Sequence, residues 1–206
     1  MWIMTDDALI EDPNGHVFGS APGLPDELFE HDGLITKRHI RATAIAHLRP
    51  RSGELLWDVG AGAGSVAIEW CRAAEGARAI GIERNAVRAE RARENAARLT
   101  ALGAMEILKA RAADALDELP QPDAVFIGGG ATITVVESAV ERLGPGGRLV
   151  VHGITIEAEL LCVEAHHRWG GQLSRMQVET AQPLGALTGW QPARTVIQWA
   201  HQKASG

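Results

Sequence analysis

The sequence predicts an α/β fold built on a mostly parallel sheet, and three observations predict it. Apolar strand-like runs alternate with helical periodicities along the 206 residues, as strand–helix–strand units do. One such run, Leu55 to Val59, enters the turn Gly60-Ala61-Gly62-Ala63-Gly64. It leaves in a helix with Val66–Trp70 and Ala67–Cys71 as i,i+4 pairs. A second apolar run, Ala77 to Ile82, ends at the carboxylate of Glu83. Together these make a nucleotide site, because glycines let backbone N–H groups approach a ligand and a carboxylate can take a ribose diol.

The remaining elements follow in chain order. Residues 1–33 have little periodicity and many turn formers, among them Pro13, Gly15, Pro22 and Pro25, and are expected as an irregular arm before a folded domain at 34–206. Thr36 can N-cap a helix to about Leu48, with Ile40, Ala44 and Leu48 on one face, ended by Pro50 and Gly53. Strands are expected near 54–59 and 77–83. Asn85 starts a charged helix that Gly103 terminates, and a strand near 104–109 follows. Asp123 to Ile127 is the fourth strand and runs into Gly128-Gly129-Gly130. Ile133, Val136, Val140 and Leu143 mark a helix, and Arg148 to His152 is the fifth strand. A helix at 156–169 stops at Gly170-Gly171, and two last strands near 172–179 and 194–200 bring the count to seven.

Composition narrows the function. The 206 residues suit one domain with a sizeable core, and 46% apolar with 22% charged residues is ordinary for a soluble protein. No apolar run approaches the ~20 residues of a membrane span. Met1 to Asp7 is acidic, so no secretory leader is expected and the compartment expected is the cytoplasm. Cys71 and Cys162 are expected as buried small residues, and His166-His167 lack a third ligand, so no metal is expected. A net charge of −6, no tyrosine and three phenylalanines argue against a nucleic-acid partner. Of Trp2, Trp57, Trp70, Trp169, Trp190 and Trp199, most are expected in the core.

The loop also discriminates between nucleotides. A dinucleotide fingerprint wants G-x-G-x-x-G, and Ser65 stands where its third glycine belongs. Asp58 before the loop suits a cationic amino acid end better than a pyrophosphate. The pattern D-V-G-x-G-x-G with an acidic end to the next strand resembles the class I S-adenosylmethionine-dependent methyltransferases. The plainer alternative makes Asp58 a turn cap and Glu83 a solvated strand end. The resemblance implies a seven-stranded Rossmann-like sheet with the last strand antiparallel, and S-adenosyl-L-methionine as cofactor. Gly60, Ala61 and Gly62 should then line its amino acid end, Glu83 its ribose, Arg84 the adenine face, and Ala113 with Asp114 the adenine edge. Thr36, Asp58, Gly64 and Gly128 complete the expected cofactor set. Asp114 reads equally as a helix N-cap.

A second cluster, Lys37, Arg38, His39 and Arg41, sits at a helix start, where positive charge is locally unfavourable. It reads as an anion site or as a solvated face. Arg194 before the last strand could meet a carboxylate. Gly129 and Gly130 leave space for a bulky acceptor. His39 and His152 are the candidate acid/base residues, and His152 reads equally as a satisfied strand-end histidine.

Several segments coincide with one family. Gly23-Leu-Pro-Asp-Glu27 leads into Leu34-Ile-Thr-Lys-Arg38 and Trp57-Asp-Val-Gly-Ala-Gly-Ala-Gly-Ser65; Phe126-Ile-Gly-Gly-Gly130 and Pro145-Gly-Gly-Arg-Leu149 follow. Over roughly residues 23–200 the chain resembles the CbiT family and the C-terminal half of the CobL proteins, the decarboxylating precorrin methyltransferases of cobalamin biosynthesis. The resemblance implies methylation of a precorrin at C15, coupled to loss of carbon dioxide from the C12 acetate. It implies Lys37, Arg38, Arg41, Gly129, Gly130 and Arg194 as substrate-binding residues, and a homotetramer. It also implies a companion C5-methylase domain or subunit, with this chain as the C-terminal half of a longer polypeptide. A tRNA adenosine methyltransferase and a non-catalytic cofactor-binding scaffold are the competing readings.

Overall fold

Three two-residue strands, β1 (Ile3–Met4), β2 (Ile10–Glu11) and β3 (Val17–Phe18), pair antiparallel in the order β1-β2-β3, where the sequence predicted only an irregular arm. The structure is a computed structural model that describes residues 3–4, 9–11 and 15–205; the expectations placed on Trp2, Pro13 and most of Met1 to Asp7 lie outside them. Past the strands, Asp26–Leu28 makes one 3-10 turn. Ile10, Leu24, Leu28 and Phe29 are buried against Ile68, Ala96 and Leu99, so the arm packs onto the domain through an apolar face of its own.

Helix α1 (Arg38–Leu48) begins one residue later than expected. Lys37 occupies its N-cap position, and no side chain caps it. Arg49 ends it in the left-handed region, at φ 50°. Strand β4 (Leu55–Val59), helix α2 (Ser65–Ala73) and strand β5 (Arg78–Ile82) follow as predicted. Helix α3 (Ala86–Leu99) is capped by Asn85, whose side chain accepts from the N–H groups of Val87 and Arg88 at 3.0 and 3.1 Å. It ends four residues before Gly103. Strand β6 (Met105–Leu108), the short helix α4 (Ala112–Ala115), strand β7 (Ala124–Ile127), helix α5 (Ile133–Arg142), strand β8 (Arg148–Gly153), helix α6 (Ile156–Trp169) and strand β9 (Gln172–Met176) come next.

A hairpin of β10 (Glu179–Leu184) and β11 (Leu187–Pro192) was not foreseen. Nearly all its residues are exposed, so its strands carry no buried-face alternation for the sequence to reveal. Strand β12 (Val196–Gln202) closes the domain.

The main sheet runs β6-β5-β4-β7-β8-β12-β9. Its first five strands are parallel, and β12 inserts antiparallel to both β8 and β9. In β4, Leu56 packs on one face with Ala44, Leu48, Val66 and Trp70, while Trp57 and Val59 pack on the other with Val136, Ala139 and Cys162. Helices therefore cover both faces, which is why the central strands are apolar throughout rather than alternating. Trp57, Trp70 and Trp199 are buried, each with its indole N–H on a backbone carbonyl, whereas Trp190 is exposed on the hairpin. Among the described residues, no helix is long and apolar enough to cross a membrane.

Candidate active site

The order reverses at β4, and in an open α/β sheet the ligand crevice lies at such a switch point, outside the C-terminal ends of the strands, here at the loops after β4 and β7. Crowding accounts for Gly60 and Gly128, and a positive φ for Gly62. Gly60, at φ +73°, lies so close to the β7 loop that a Cβ would fall 2.5 Å from the carbonyl oxygen of Gly129 and 2.8 Å from its nitrogen. Gly62, at φ +57°, faces the carbonyl of Leu34 from the arm, with 3.7 Å to a Cβ. A Cβ on Gly128 would meet the Phe126 ring at 2.8 Å, whereas Gly129 and Gly130 face open space.

Glu83 fixes the first loop. It is 6% exposed; one carboxylate oxygen accepts the N–H of Gly62 at 3.0 Å and the other that of Asn85 at 2.8 Å. A carboxylate offers about four lone-pair sites, so acceptor capacity remains for a diol. The loop's N–H groups are a different matter. Those of Gly60 and Ala61 donate to the Ile82 carbonyl, and that of Gly62 to Glu83, so the expectation that they approach a ligand is corrected. What the glycines supply is close approach. Gly64 is buried against Met105 and Ala92 at the N-cap position of α2, where it lets the helix start tight on its neighbours.

Asp58 lies behind the loop rather than on it. It is 1% exposed and accepts the N–H of Ala67 at 3.2 Å, at the start of α2. The turn-cap alternative is therefore the one realised, and direct contact with a ligand's cationic end is not. Burial pushes its carboxyl up to about 7; the Ala67 N–H opposes that shift and the Glu83 carboxylate adds to it.

Arg84, Ala113 and Asp114 are exposed beyond β5 and β6, at the edge of the same crevice. Asp114 falls in the first turn of α4, and the N-cap position is that of Arg111, so the N-cap alternative does not hold. Lys37, Arg38 and His39 are exposed at the start of α1; Lys37 reaches only a 3.7 Å pairing with Asp26. Strand register carries the rim further. Val151 pairs with Ile127, and Ile197 pairs with Gly153, so Arg194 follows the β8 end along one edge. Its side chain is exposed.

Arg41, the Thr36 cap and His152 are corrected as well. Arg41 is 0% exposed. Its guanidinium donates to Glu69 at 2.6 Å, to Asp26 at 3.0 Å, and to the carbonyls of Thr36 and Leu24 at 2.5 Å. Four of its five N–H donors are used inside the protein and the side chain is closed to solvent, so it holds the arm and is out of reach of a substrate carboxylate. Thr36 lies on this clamp through its carbonyl, and its side chain caps nothing. His152 is buried beneath α1, edge-on to Phe126, with Nε2 2.9 Å from the Gln198 side-chain oxygen. Burial holds its imidazole down to about 4, so it is neutral near pH 7 and is no proton donor.

Sequence reasoning missed Glu69 and Asn95. Glu69 accepts the N–H groups of Gly23 and Leu24 at 2.8 and 2.9 Å besides pairing with Arg41. Its signal was a carboxylate inside the otherwise apolar Val66–Trp70 face of α2. Asn95 lay hidden in a helix read as a solvated face.

The donor set fits S-adenosylmethionine. Side-chain-free backbone at Gly60 and Gly62 and spare acceptor capacity on Glu83 match an uncharged ribose and a compact amino acid end, while the Glu83 carboxylate and loop N–H groups that are already bonded oppose a pyrophosphate. The fold is that of the class I S-adenosylmethionine-dependent methyltransferases, with the inserted antiparallel strand the resemblance implied. The chain belongs to the precorrin methyltransferase domain family, whose model matches residues 27–203. A precorrin-6Y C(5,15)-methyltransferase (decarboxylating) of Sinorhizobium sp is 45% identical over 193 residues, 93% of this chain and 46% of that protein. The chain thus spans about half the length of that relative. The crystal structure of the C-terminal domain of precorrin-6Y C5,15-methyltransferase from Rhodobacter capsulatus is 44% identical, with a TM-score of 0.85, covering 90% of this chain and 100% of that one. A protein of Pyrobaculum calidifontis named "Probable cobalt-precorrin-6B C(15)-methyltransferase (decarboxylating)" is 34% identical over 151 residues, 71% of this chain and 77% of its own length.

Proposed function

We propose that this chain binds S-adenosylmethionine at Gly60–Gly62 and Glu83 and methylates a precorrin at C15, with decarboxylation of the C12 acetate, in cobalamin biosynthesis. The observation that carries this reading is the crevice itself: a glycine loop held by Glu83, an open Gly129–Gly130 turn against it, and exposed cations at Lys37, Arg38 and Arg194 on an otherwise acidic protein. The family match supports it, and the Pyrobaculum relative, similar over most of its length, supports the C15 half.

Bound there, the cofactor would supply an electrophilic methyl group. The chain's own residues contribute position and charge. Lys37, Arg38 and Arg194 are suited to peripheral carboxylates of a tetrapyrrole. The backbone at Gly129 and Gly130 leaves room for the macrocycle beside the loop. An enamine-like meso carbon needs orientation more than a base, so positioning dominates. Loss of carbon dioxide leaves an electron pair on the macrocycle, which a proton must quench. With His152 buried and neutral, His39 is the remaining candidate donor.

The companion C5-methylase, by this reading, is a separate domain or subunit. A homotetramer is supported by the exposed apolar hairpin at Leu184, Leu187 and Trp190. The free thiols of Cys71 and Cys162 are in keeping with the cytoplasm.

The test offers the chain S-adenosylmethionine with a precorrin-6 pool, a cobalt-loaded pool, or tRNA. Carbon dioxide release with transfer of one methyl to C15 is expected for a tetrapyrrole. Methyl transfer to tRNA, or S-adenosylhomocysteine binding with no transfer to any acceptor, would overturn the reading.

A further inference from the structure

The arm does more than cover apolar surface. Residues 30–37 form a strap that crosses the glycine loop, and one side chain ties the two together. Asn95 of α3 is 0% exposed. Its amide nitrogen donates to the carbonyl of Ala63, inside the loop, at 2.9 Å and to the carbonyl of Glu30, at the start of the strap, at 3.0 Å. Its oxygen accepts the Glu30 N–H at 2.9 Å and a guanidinium N–H of Arg98 at 2.8 Å. Both donors and both acceptor directions are thereby used.

From Glu30 the strap's other anchors are the half-buried Ile35, packed on the apolar cluster of Ile68, Ala96 and Leu99, and ion pairs nearer the surface. Asp32 meets Arg88 at 2.8 Å and Arg91 at 3.7 Å, both on the surface. Gly33 turns at φ +91°. The Leu34 carbonyl then faces Gly62, and the Thr36 carbonyl reaches the Arg41 clamp. Between the buried Arg41 and Asn95 anchors lie the residues that lead into Lys37 and Arg38.

We propose that Asn95 is a positioning residue for the methyl transfer, setting the cofactor loop and the acceptor-side strap from one point. This rests on the cofactor and acceptor assignments above. A buried amide with every hydrogen bond made holds its partners in a single geometry, and losing it releases both at once. The acceptor segment is then registered against the loop that seats the methyl donor, which is what an in-line transfer requires.

The test compares Asn95→Ala with Val136→Ala, a core truncation in α5, under conditions where both remain folded. Amide exchange over residues 30–36 is read by mass spectrometry, S-adenosylhomocysteine affinity by calorimetry, and the acceptor KM separately from kcat. Asn95→Ala is expected to speed strap exchange and weaken S-adenosylhomocysteine, each by about tenfold, and to raise the acceptor KM. Val136→Ala should do none of these at an equal loss of Tm. Identical behaviour of the two variants overturns the proposal, as does a loosened strap with wild-type cofactor affinity. Asn95→Ser carries the same comparison if Asn95→Ala fails to fold; if neither folds, Asn95 is a stability residue only and the proposal fails. Absence of S-adenosylhomocysteine binding in the wild type would instead sink the cofactor reading, with strap exchange still judging Asn95.

Discussion

Gly60 and Gly129 touch backbone to backbone: a Cβ on Gly60 would lie 2.5 Å from the Gly129 carbonyl oxygen, at a φ of +73° that disfavours side chains. The loops after β4 and β7 are thus one surface. Gly60→Ala is expected to cost about 1–3 kcal/mol of stability through strain and overpacking, and to weaken S-adenosylhomocysteine by pushing the loops apart. Denaturant unfolding and calorimetric titration measure the two effects.

Glu83 carries both the loop and the proposed ribose contact. Glu83→Ala is expected to weaken S-adenosylhomocysteine by about 1.5–3 kcal/mol, since hydrogen bonds to a charged group are lost. Glu83→Gln keeps one acceptor and should fall between. Unchanged affinity in a folded Glu83→Ala variant would remove Glu83 from the site.

How far these residues were legible follows from physics. Glu83 and the glycines could be read because strand–turn–helix units repeat a local pattern, so the sheet and its crevice were legible from periodicity and turn chemistry. Arg41 was not, because a basic residue at a helix start looks the same whether it faces solvent or the interior. Its fate depended on Glu69 and Asp26, which only tertiary packing brings near. Asp58 was found for its charge, but its direction was set by the α2 N–H groups behind the loop. Asn95 and the hairpin gave no signal, since one sits in a charged helix and the other buries almost nothing.

Arg41 and its neighbours Lys37 and Arg38 should separate cleanly. Arg41→Ala leaves Glu69 buried without its partner and is expected to cost about 3–5 kcal/mol. The double variant Lys37→Ala/Arg38→Ala alters exposed side chains and should change stability by no more than about 0.5 kcal/mol. Yet it should impair both carbon dioxide release and C15 methylation, with cofactor affinity nearly intact. Wild-type rates for both steps would place these cations outside the acceptor site.

Asp58 and His152 tilt stability in opposite senses. The Asp58 carboxyl is raised from 3.8 to about 7, so the folded state binds more protons across that window and this group's contribution falls as pH rises through it. The His152 imidazole is lowered from 6.5 to about 4; the unfolded chain binds more protons there, and stability is lost as pH falls through that window. Asp58→Asn keeps an oxygen for the Ala67 N–H and is expected to gain about 2–4 kcal/mol at pH 8 relative to pH 4, measured against wild type by denaturant unfolding. His152→Gln should flatten the opposing slope.

Leu187 and Trp190 are 75% and 72% exposed on β11. If subunits meet through this hairpin, Leu187→Ser/Trp190→Ser should reduce a tetramer to smaller species by light scattering, with the monomer fold unchanged by circular dichroism. A tetramer that survives the double change would place the interface elsewhere.

The insertion of β12 between β8 and β9 has a consequence for biogenesis. As the chain leaves the ribosome, β8 and β9 emerge well before the strand that joins them, and each presents an unpaired edge across a gap. The glycine loop, Glu83 and the Gly129–Gly130 turn have been synthesised by then, but their sheet is not yet whole. A stop codon between Met176 and Val196 would therefore yield a product that has β8 and β9 but not the strand that joins them, inclined to pair with other nascent copies rather than to fold.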